Sequence, residues 1–196
     1  MNAGEFLDRR QAQCELPAGG GVGQAAEVPE ACTGNPQPRM LVLKRLGTRS
    51  VANHDEMVTA LAHEFKGEYE VVEFEAAALP ITAQAEALKQ AAVFIAPHGS
   101  GLANSLFLPD PAVDPAASET GTETHPESSG GRLPVVVELL PWEYPNLTFY
   151  VALQWLPLEH LAFLVQGADA YRAMNVDISK LSTALREFLG SAKRYH

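Results

Sequence analysis

The chain has 196 residues, of which 14 are basic and 24 acidic, so its formal net charge is −10. This length predicts one domain of ordinary size, and the negative charge argues against a protein that binds the phosphate backbone of nucleic acids. No apolar run approaches the roughly 20 residues of a membrane span, and the first residues lack the basic-then-apolar order of a signal peptide.

Residues 1–38 consist mainly of small, polar and turn-forming residues, with GGGVG at 19–23 and no sustained helical or strand period. Both cysteines, Cys14 and Cys32, lie in this region and lack metal-ligand spacing, so they could form one disulfide or remain unpaired. This composition predicts a flexible leader, followed by a domain over residues 39–196.

From Arg39 onward, short apolar runs rich in β-forming residues alternate with helical stretches. The predicted strands are 40–43, 69–74, 92–96, 135–140 and 160–165. The predicted helices are 54–65, 82–91, 102–107, 147–156 and 178–189. Nearly continuous apolar strands that alternate with helices predict an α/β domain, namely a Rossmann-like parallel sheet with helices on both faces.

Two helix starts carry capping signals. Asn53 has Glu56 three residues later, which is the spacing of a capping box, and Asp177 can cap the last helix. One stretch interrupts the alternation, because residues 110–134 are polar and rich in proline. We predict that this insertion is a disordered surface loop.

Three features should meet at the carboxyl edge of the sheet, where open parallel sheets bind ligands. The third strand leads into His98 and a turn that contains Gly99 and Gly101, where free N–H groups attract anions. The first strand is followed by cations, including Arg45 and Arg49. The fourth strand ends in Glu138, a carboxylate suited to accept hydrogen bonds from ribose hydroxyls. Together these groups suit a nucleotide diphosphate.

Each feature also has a purely structural explanation. His98 could brace a turn, and the glycines could serve only a tight connection. The arginines could be solvated loop charges, and Glu138 could be a locally paired strand residue. Each signal is therefore weak by itself, and the convergence of all of them on one edge gives them weight.

Other chemistries fit less well. Ser100 does not match a nucleophile elbow, because the position two residues before it is His98 rather than glycine. His63 and Glu64 begin a zinc motif whose second histidine is replaced by Gly67. No phosphate-binding P-loop and no Asp-x-Asp pair is present, so we expect protein groups alone, without a metal or cofactor, to meet the phosphates.

Several segments in order resemble glycosyltransferase family 61, which includes plant xylosyl- and arabinosyltransferases and the EGF-domain-specific O-linked N-acetylglucosamine transferase. The segments are RMLVLKRLGTRSVANHDEMVTAL, TAQAEALKQAAVFIAPHGSGLANSLFLP and VVVELLP. The resemblance extends from about residue 39 to about residue 165. It implies an inverting enzyme of the GT-B fold that uses a UDP-sugar donor without an obligatory metal, and this chain resembles its C-terminal, donor-binding half.

The resemblance also implies a donor site by position. The residues that match the family's arginine and asparagine pattern after the first strand are Arg45, Arg49 and Asn53. Those that match its histidine-glycine turn are His98, Gly99, Ser100, Gly101, Leu102 and Asn104, with serine in place of the usual alanine. Glu138 matches the glutamate of its Val-Val-Glu-Leu strand. His98 is expected to help hold the diphosphate and stabilise it as a leaving group.

The resemblance leaves two functional alternatives open. One is transfer of a pentose or N-acetylhexosamine to a hydroxyl of a glycan or glycoprotein acceptor, by a fragment or truncated member that lacks the acceptor-binding half. The other is an inactive remnant that binds a nucleotide or a partner. An unrelated Rossmann-like binding domain fits the several motifs poorly. We assign no catalytic base. The family implies a location in the lumen of the Golgi or endoplasmic reticulum, with which the sequon at Asn146 is compatible.

Overall fold

The computed structural model describes residues 37–110 and 132–191. Five strands lie in these ranges: β1 (Arg39–Leu43), β2 (Glu70–Phe74), β3 (Ala91–Pro97), β4 (Val135–Pro141) and β5 (Glu159–Val165). The α-helices are α1 (His54–Glu64), α2 (Ile81–Leu88), α3 (Thr148–Leu153) and α4 (Ile178–Ser191). Two 3₁₀ helices span Ala76–Ala78 and Ser100–Phe107.

The five strands form one sheet in the order β2-β1-β3-β4-β5, and every neighbouring pair is parallel. The predicted Rossmann-like α/β class is therefore confirmed. The chain order reverses between β1 and β3, which lie side by side. In open parallel sheets, ligands bind outside the carboxyl ends of the strands at such a reversal. A ligand site is therefore expected at the carboxyl ends of β1 and β3.

Helices cover both faces of the sheet. On one face, α1 and α4 pack through Met57, Leu61, Leu181 and Leu185 onto alternate strand residues. On the other face lie α2, the second 3₁₀ helix and α3. Burial of apolar side chains on both faces explains why the strands are almost continuously apolar, because neither face is left to water.

The helix preceding β3 and the one following it differ from the predictions. The former, α2, starts at Ile81 with Pro80 at its N-cap, rather than behind Thr82. The segment after β3 is a 3₁₀ helix that begins at Ser100, not an α-helix over 102–107. Predicted helix 147–156 is also shorter, at Thr148–Leu153. Short elements such as these are set by tertiary packing more than by intrinsic helix propensity.

The two capping predictions have opposite outcomes. Asp177 does cap α4, because its Oδ1 accepts a hydrogen bond from the backbone N–H of Lys180 at 3.1 Å. The prediction of a capping box at Asn53 is wrong, because the Asn53 side chain makes no hydrogen bond to the first turn of α1. Its amide instead donates to the carbonyl of Val176 at 2.8 Å and accepts from the N–H of Val176 at 2.9 Å. The side chain of Asn53 thus binds the backbone of Val176, far away in sequence, instead of the first turn of α1.

The predicted leader, with its two cysteines, and the predicted insertion lie largely outside the described residues and stay predictions. The described residues from Pro38 onward belong to one compact unit. None of the helices in the described ranges has both the length and the apolar character needed to span a membrane.

Candidate functional site

The turn after β3 lies directly against the loop after β1. Gly99 has a φ of +142°, and a Cβ atom at this position would lie 2.1 Å from Nη1 of Arg45. A Cβ at Gly101 would lie 2.5 Å from Cδ2 of Leu43, at the end of β1. The backbone conformation requires glycine at Gly99, whereas a side chain at Gly101 would have to displace the end of the Leu43 side chain. The structure brings Arg45 and the predicted glycine turn together.

Arg45 is held in place by its own loop. Its Nε donates a hydrogen bond to the carbonyl of Thr48 at 2.7 Å. The pKa of Arg45 is below its ordinary value, first because the guanidinium is partly buried and second because the positive charge of Arg49 lies nearby. In the described residues, neither arginine forms an ion pair with a carboxylate. The site therefore carries two like charges that an anion would relieve.

Arg49 has an unfavourable backbone conformation. Its φ is +59°, in the left-handed region that non-glycine residues seldom occupy. Its Nε is buried and has no hydrogen-bond partner among the described residues. Strained backbone and an unpaired buried donor both cost free energy, and such features concentrate at ligand sites. Arg49 is thus the strongest single indication of a binding site.

A distant segment fixes the conformation of the Arg49 loop. The backbone N–H of Arg49 donates to the carbonyl of Arg172 at 3.2 Å, and Val51 forms a parallel bridge with Met174. Asn53 continues this contact through its two bonds to Val176. The amide of Asn53 is therefore engaged in holding the loop, and its predicted role toward the donor stays a prediction.

His98 is buried behind the glycine turn, with 2% of its surface exposed. Its Nδ1 lies 2.5 Å from Oε1 of Glu138. Its ring packs edge-on against Phe149, at 5.5 Å between centroids, and against Tyr144, at 6.1 Å. The ring orientation is therefore set by one carboxylate and two aromatic neighbours.

Glu138 lies in the middle of β4, as the predicted strand 135–140 requires, and not at the carboxyl end of the strand where the predicted site placed it. The carboxylate is 1% exposed, and its Oε2 lies 3.1 Å from Nε2 of His160 in β5, at ion-pair distance but without hydrogen-bond alignment. Burial raises the pKa of Glu138, but the contacts with His160 and His98 outweigh it and hold the pKa below its ordinary value. Both oxygens thus face histidines, and the expected contact with a ribose stays a prediction.

The remaining predicted residues occupy different environments around the 3₁₀ helix. Ser100 is exposed at its start, Leu102 is fully buried in the core, and Asn104 is buried. Leu102 packs beneath the turn with residues of β1 and β3. Leu102 therefore supports the turn through packing in the core.

The sequence did not identify the residues that contact the site residues from neighbouring elements. They are His160, Tyr144, Phe149 and the segment 172–176. One signal was available for His160, because it is a polar residue at the start of a predicted apolar strand. For the segment after β5 no local signal exists, since its contacts are backbone bonds to a loop far away in sequence.

A cluster of titratable side chains and a surface groove lie elsewhere in the described residues. His54, Asp55 and Glu73 place potential metal-ligand atoms within 4.8 Å of one another. The ammonium of Lys44 lies 3.2 Å from Glu73 and 3.5 Å from Asp55, so a cation of the protein already compensates this cluster. A groove of about 1010 Å³, lined mainly by residues with polar side chains, runs between α1 and α4, and no predicted donor-site residue lines it.

Comparison with known proteins adds sequence relationships to this geometry. The family model described as Glycosyltransferase 61 matches residues 15–113, which include both arginines and the glycine turn but not Glu138. A stretch of 77 residues is 42% identical to a protein of Oryza sativa subsp. japonica named beta-1,2-xylosyltransferase XAX1. That stretch is 39% of this chain and only 13% of the rice protein.

Proposed function

The chain belongs to the glycosyltransferase 61 family, and from this premise we propose that its described domain binds the diphosphate of a UDP-sugar donor. The observation that carries the proposal is the unpaired cationic site formed by Arg45 and Arg49 beside the Gly99 turn. It lies at the reversal of strand order, where open parallel sheets bind nucleotides.

The diphosphate would take the place of the missing counter-charge. Arg45 would approach it across the face of Gly99, and Arg49 would supply its unpaired Nε–H. Guanidinium groups suit phosphate because they present several N–H donors in one plane. His98, whose Nδ1 contacts Glu138, would donate from Nε2–H to a phosphate oxygen at the same turn when its ring is protonated.

The reaction we propose is a direct displacement with inversion at the sugar. An acceptor hydroxyl oxygen attacks the anomeric carbon and forms the new glycosidic bond, while the bond from that carbon to the phosphate oxygen breaks. UDP leaves with the electron pair, and its developing charge is met by Arg45 and Arg49. The hydroxyl proton passes to a base that we do not assign.

The finer parts of the proposal follow from family membership. We propose transfer of a pentose or an N-acetylhexosamine to a glycan or glycoprotein hydroxyl, without an obligatory metal. The enzyme would combine this donor-binding half with an acceptor-binding half in a GT-B arrangement, in the lumen of the Golgi or endoplasmic reticulum. The xylosyl transfer named for the rice relative supports a pentose.

A second candidate is a domain that binds the nucleotide without turnover. One observation favours it: the two titratable residues next to the turn, His98 and Glu138, are at most 2% exposed, which leaves an acceptor hydroxyl little access to either as a base. This candidate shares the donor site and differs only in activity.

The test is calorimetric titration of the purified chain with UDP and with ADP, both in EDTA. We expect UDP to bind selectively, and the double variant Arg49→Ala, His98→Ala to weaken its binding by tenfold or more, since charge-assisted contacts are worth about 1.5–3 kcal/mol each. Lys66→Ala, which removes an exposed charge elsewhere, is the matched control and should bind UDP normally.

Failure of the folded wild-type chain to bind UDP would refute the donor-site proposal. Equal binding of UDP and ADP would refute selectivity for uridine. If UDP binds but sugar transfer is absent from the longest soluble form of the protein, the non-catalytic candidate is correct.

A further inference from the structure

Three polar side chains form a row on one face of the sheet. His98 follows β3, Glu138 lies in β4 and His160 lies in β5. The strand register sets Glu138 beside Ala96 and His160 beside Val136, and both of these apolar partners belong to the core beneath α2 and α3. The row therefore crosses three neighbouring strands on that face.

Glu138 depends on both ends of this row. A buried carboxylate is tolerated as an ion only when its oxygens have partners. Oε1 contacts His98, and His160 is the polar side chain that approaches Oε2. His160 is itself largely buried, and neither of its ring nitrogens has an aligned hydrogen bond in the described residues. Nε2 lies 3.1 Å from Oε2 of Glu138, so this ion-pair contact is the geometric link between the two side chains.

We propose that His160 is a positioning residue of the donor site, which keeps Glu138 ionised and thereby keeps His98 in one tautomer. An ionised Glu138 accepts a hydrogen bond from Nδ1–H of His98, so Nε2 is the ring nitrogen left for the ligand, and it can donate to a phosphate oxygen when the ring carries its second proton. A protonated Glu138 would have one fewer acceptor and would release this constraint. The consequence for UDP binding rests on the function proposed above.

The surroundings of the row contain few other titratable groups. Tyr144 borders the ring of His98, and Tyr150 lies over His160 with 5.8 Å between ring centroids. Phe149 also packs on the ring of His98, and the guanidinium of Arg45 lies against the neighbouring Gly99. Burial raises the pKa of Glu138, and the two histidines are the neighbours that lower it, so replacing one of them should shift the titration of the carboxylate upward.

The first experiment follows the Glu138 carboxyl by ¹³C NMR during a pH titration. His160→Phe removes the polar contact while it keeps a ring, and we expect the Glu138 titration midpoint to rise by about one pH unit. His160→Gln retains a side-chain N–H donor and should keep the midpoint close to that of the wild type. His63→Gln, at an exposed histidine, is the control and should change nothing.

The second experiment measures UDP affinity of the same variants by calorimetry at neutral pH. We expect His160→Phe to bind UDP about tenfold more weakly and His160→Gln to restore most of the affinity. An unchanged Glu138 midpoint in His160→Phe would show that His160 only fills space. A raised midpoint with unchanged UDP affinity would overturn the positioning role.

A measurement on the wild type covers the case in which His160→Phe does not fold. Long-range ¹⁵N spectra of the imidazoles should show a proton on Nδ1 of His98 and on Nε2 of His160, and any other pair of tautomers overturns the proposal. If wild-type protein fails to bind UDP, the proposed function fails, whereas the titration and tautomers still decide whether His160 acts on Glu138.

Discussion

At Arg49, local backbone preference and the observed structure disagree. The residue is held at a φ of +59° by backbone bonds on both sides, including the one to Arg172. A left-handed conformation costs a non-glycine residue about 1–2 kcal/mol. That cost, together with the unpaired Nε, supports the proposed role of Arg49 in donor binding.

The strain at Arg49 can be measured by comparing two truncations. Arg49→Gly and Arg49→Ala both remove the guanidinium, but only glycine adopts the left-handed conformation freely. We expect Arg49→Gly to be more stable than Arg49→Ala by about 1 kcal/mol in urea unfolding. Equal stability of the two variants, or greater stability of the alanine variant, would mean that the backbone at this position is not strained.

Among the elements, the two helix starts show that similar N-cap signals can lead to different hydrogen bonds. Asn53 and Asp177 are both suitable N-cap residues in the sequence. Only Asp177 makes the capping bond, because the amide of Asn53 is used to join the β1–α1 loop to Val176. The loop that carries Arg49 thus depends on the segment after β5.

Exchange of asparagine and aspartate at the two positions tests this difference. Asn53→Asp should destabilise the protein by about 1–3 kcal/mol, because a carboxylate still accepts from the Val176 N–H but cannot donate to the Val176 carbonyl, which then faces a negatively charged oxygen. Asp177→Asn should cost less than about 0.5 kcal/mol, because both residues cap helices well. Thermal unfolding of the two variants gives the comparison, and a tolerated Asn53→Asp would indicate an ordinary cap.

For the molecule as a whole, acid should lower stability in steps. The pKa of His54 is lowered because burial disfavours its charged form, and the nearby Glu73 only partly opposes this effect. The pKa of Glu138 is also lowered, and that of Asp177 is lowered to about 2. For each group the unfolded chain binds the proton more readily than the folded chain does, so stability is complete above the ordinary pKa and is lost as the pH falls.

The His54 step should come first on acidification, as the pH falls below the ordinary value of 6.5 for histidine. We expect the free energy of unfolding to decrease between about pH 7 and pH 5, with a slope of up to about 1.4 kcal/mol per pH unit for one proton. His54→Gln should flatten this part of the curve, and His63→Gln should not. A curve for His54→Gln that parallels the wild type would assign the acid sensitivity to another group. Urea unfolding over a pH series provides these curves.

The fold class, the order of the strands along the chain and most helix positions could be predicted from the sequence. Apolar runs such as those that became β3 and β4 are strong local signals, because strands buried on both faces need no polar alternation. The glycine turn after β3 and the arginines after β1 could be found in the same way. Parallel strands bring their carboxyl ends to one edge, so local motifs are enough to predict a shared site.

The sequence by itself determined the α/β class, the resemblance to the glycosyltransferase 61 family and the residue types at the edge of the sheet. Only the tertiary structure decided the partners of those residues: Val176 for Asn53, Glu138 for His98, and His160 for Glu138. The physical reason is that periodicity and capping signals report on interactions within a few residues. These three contacts instead join separate elements and exist only once the sheet has assembled.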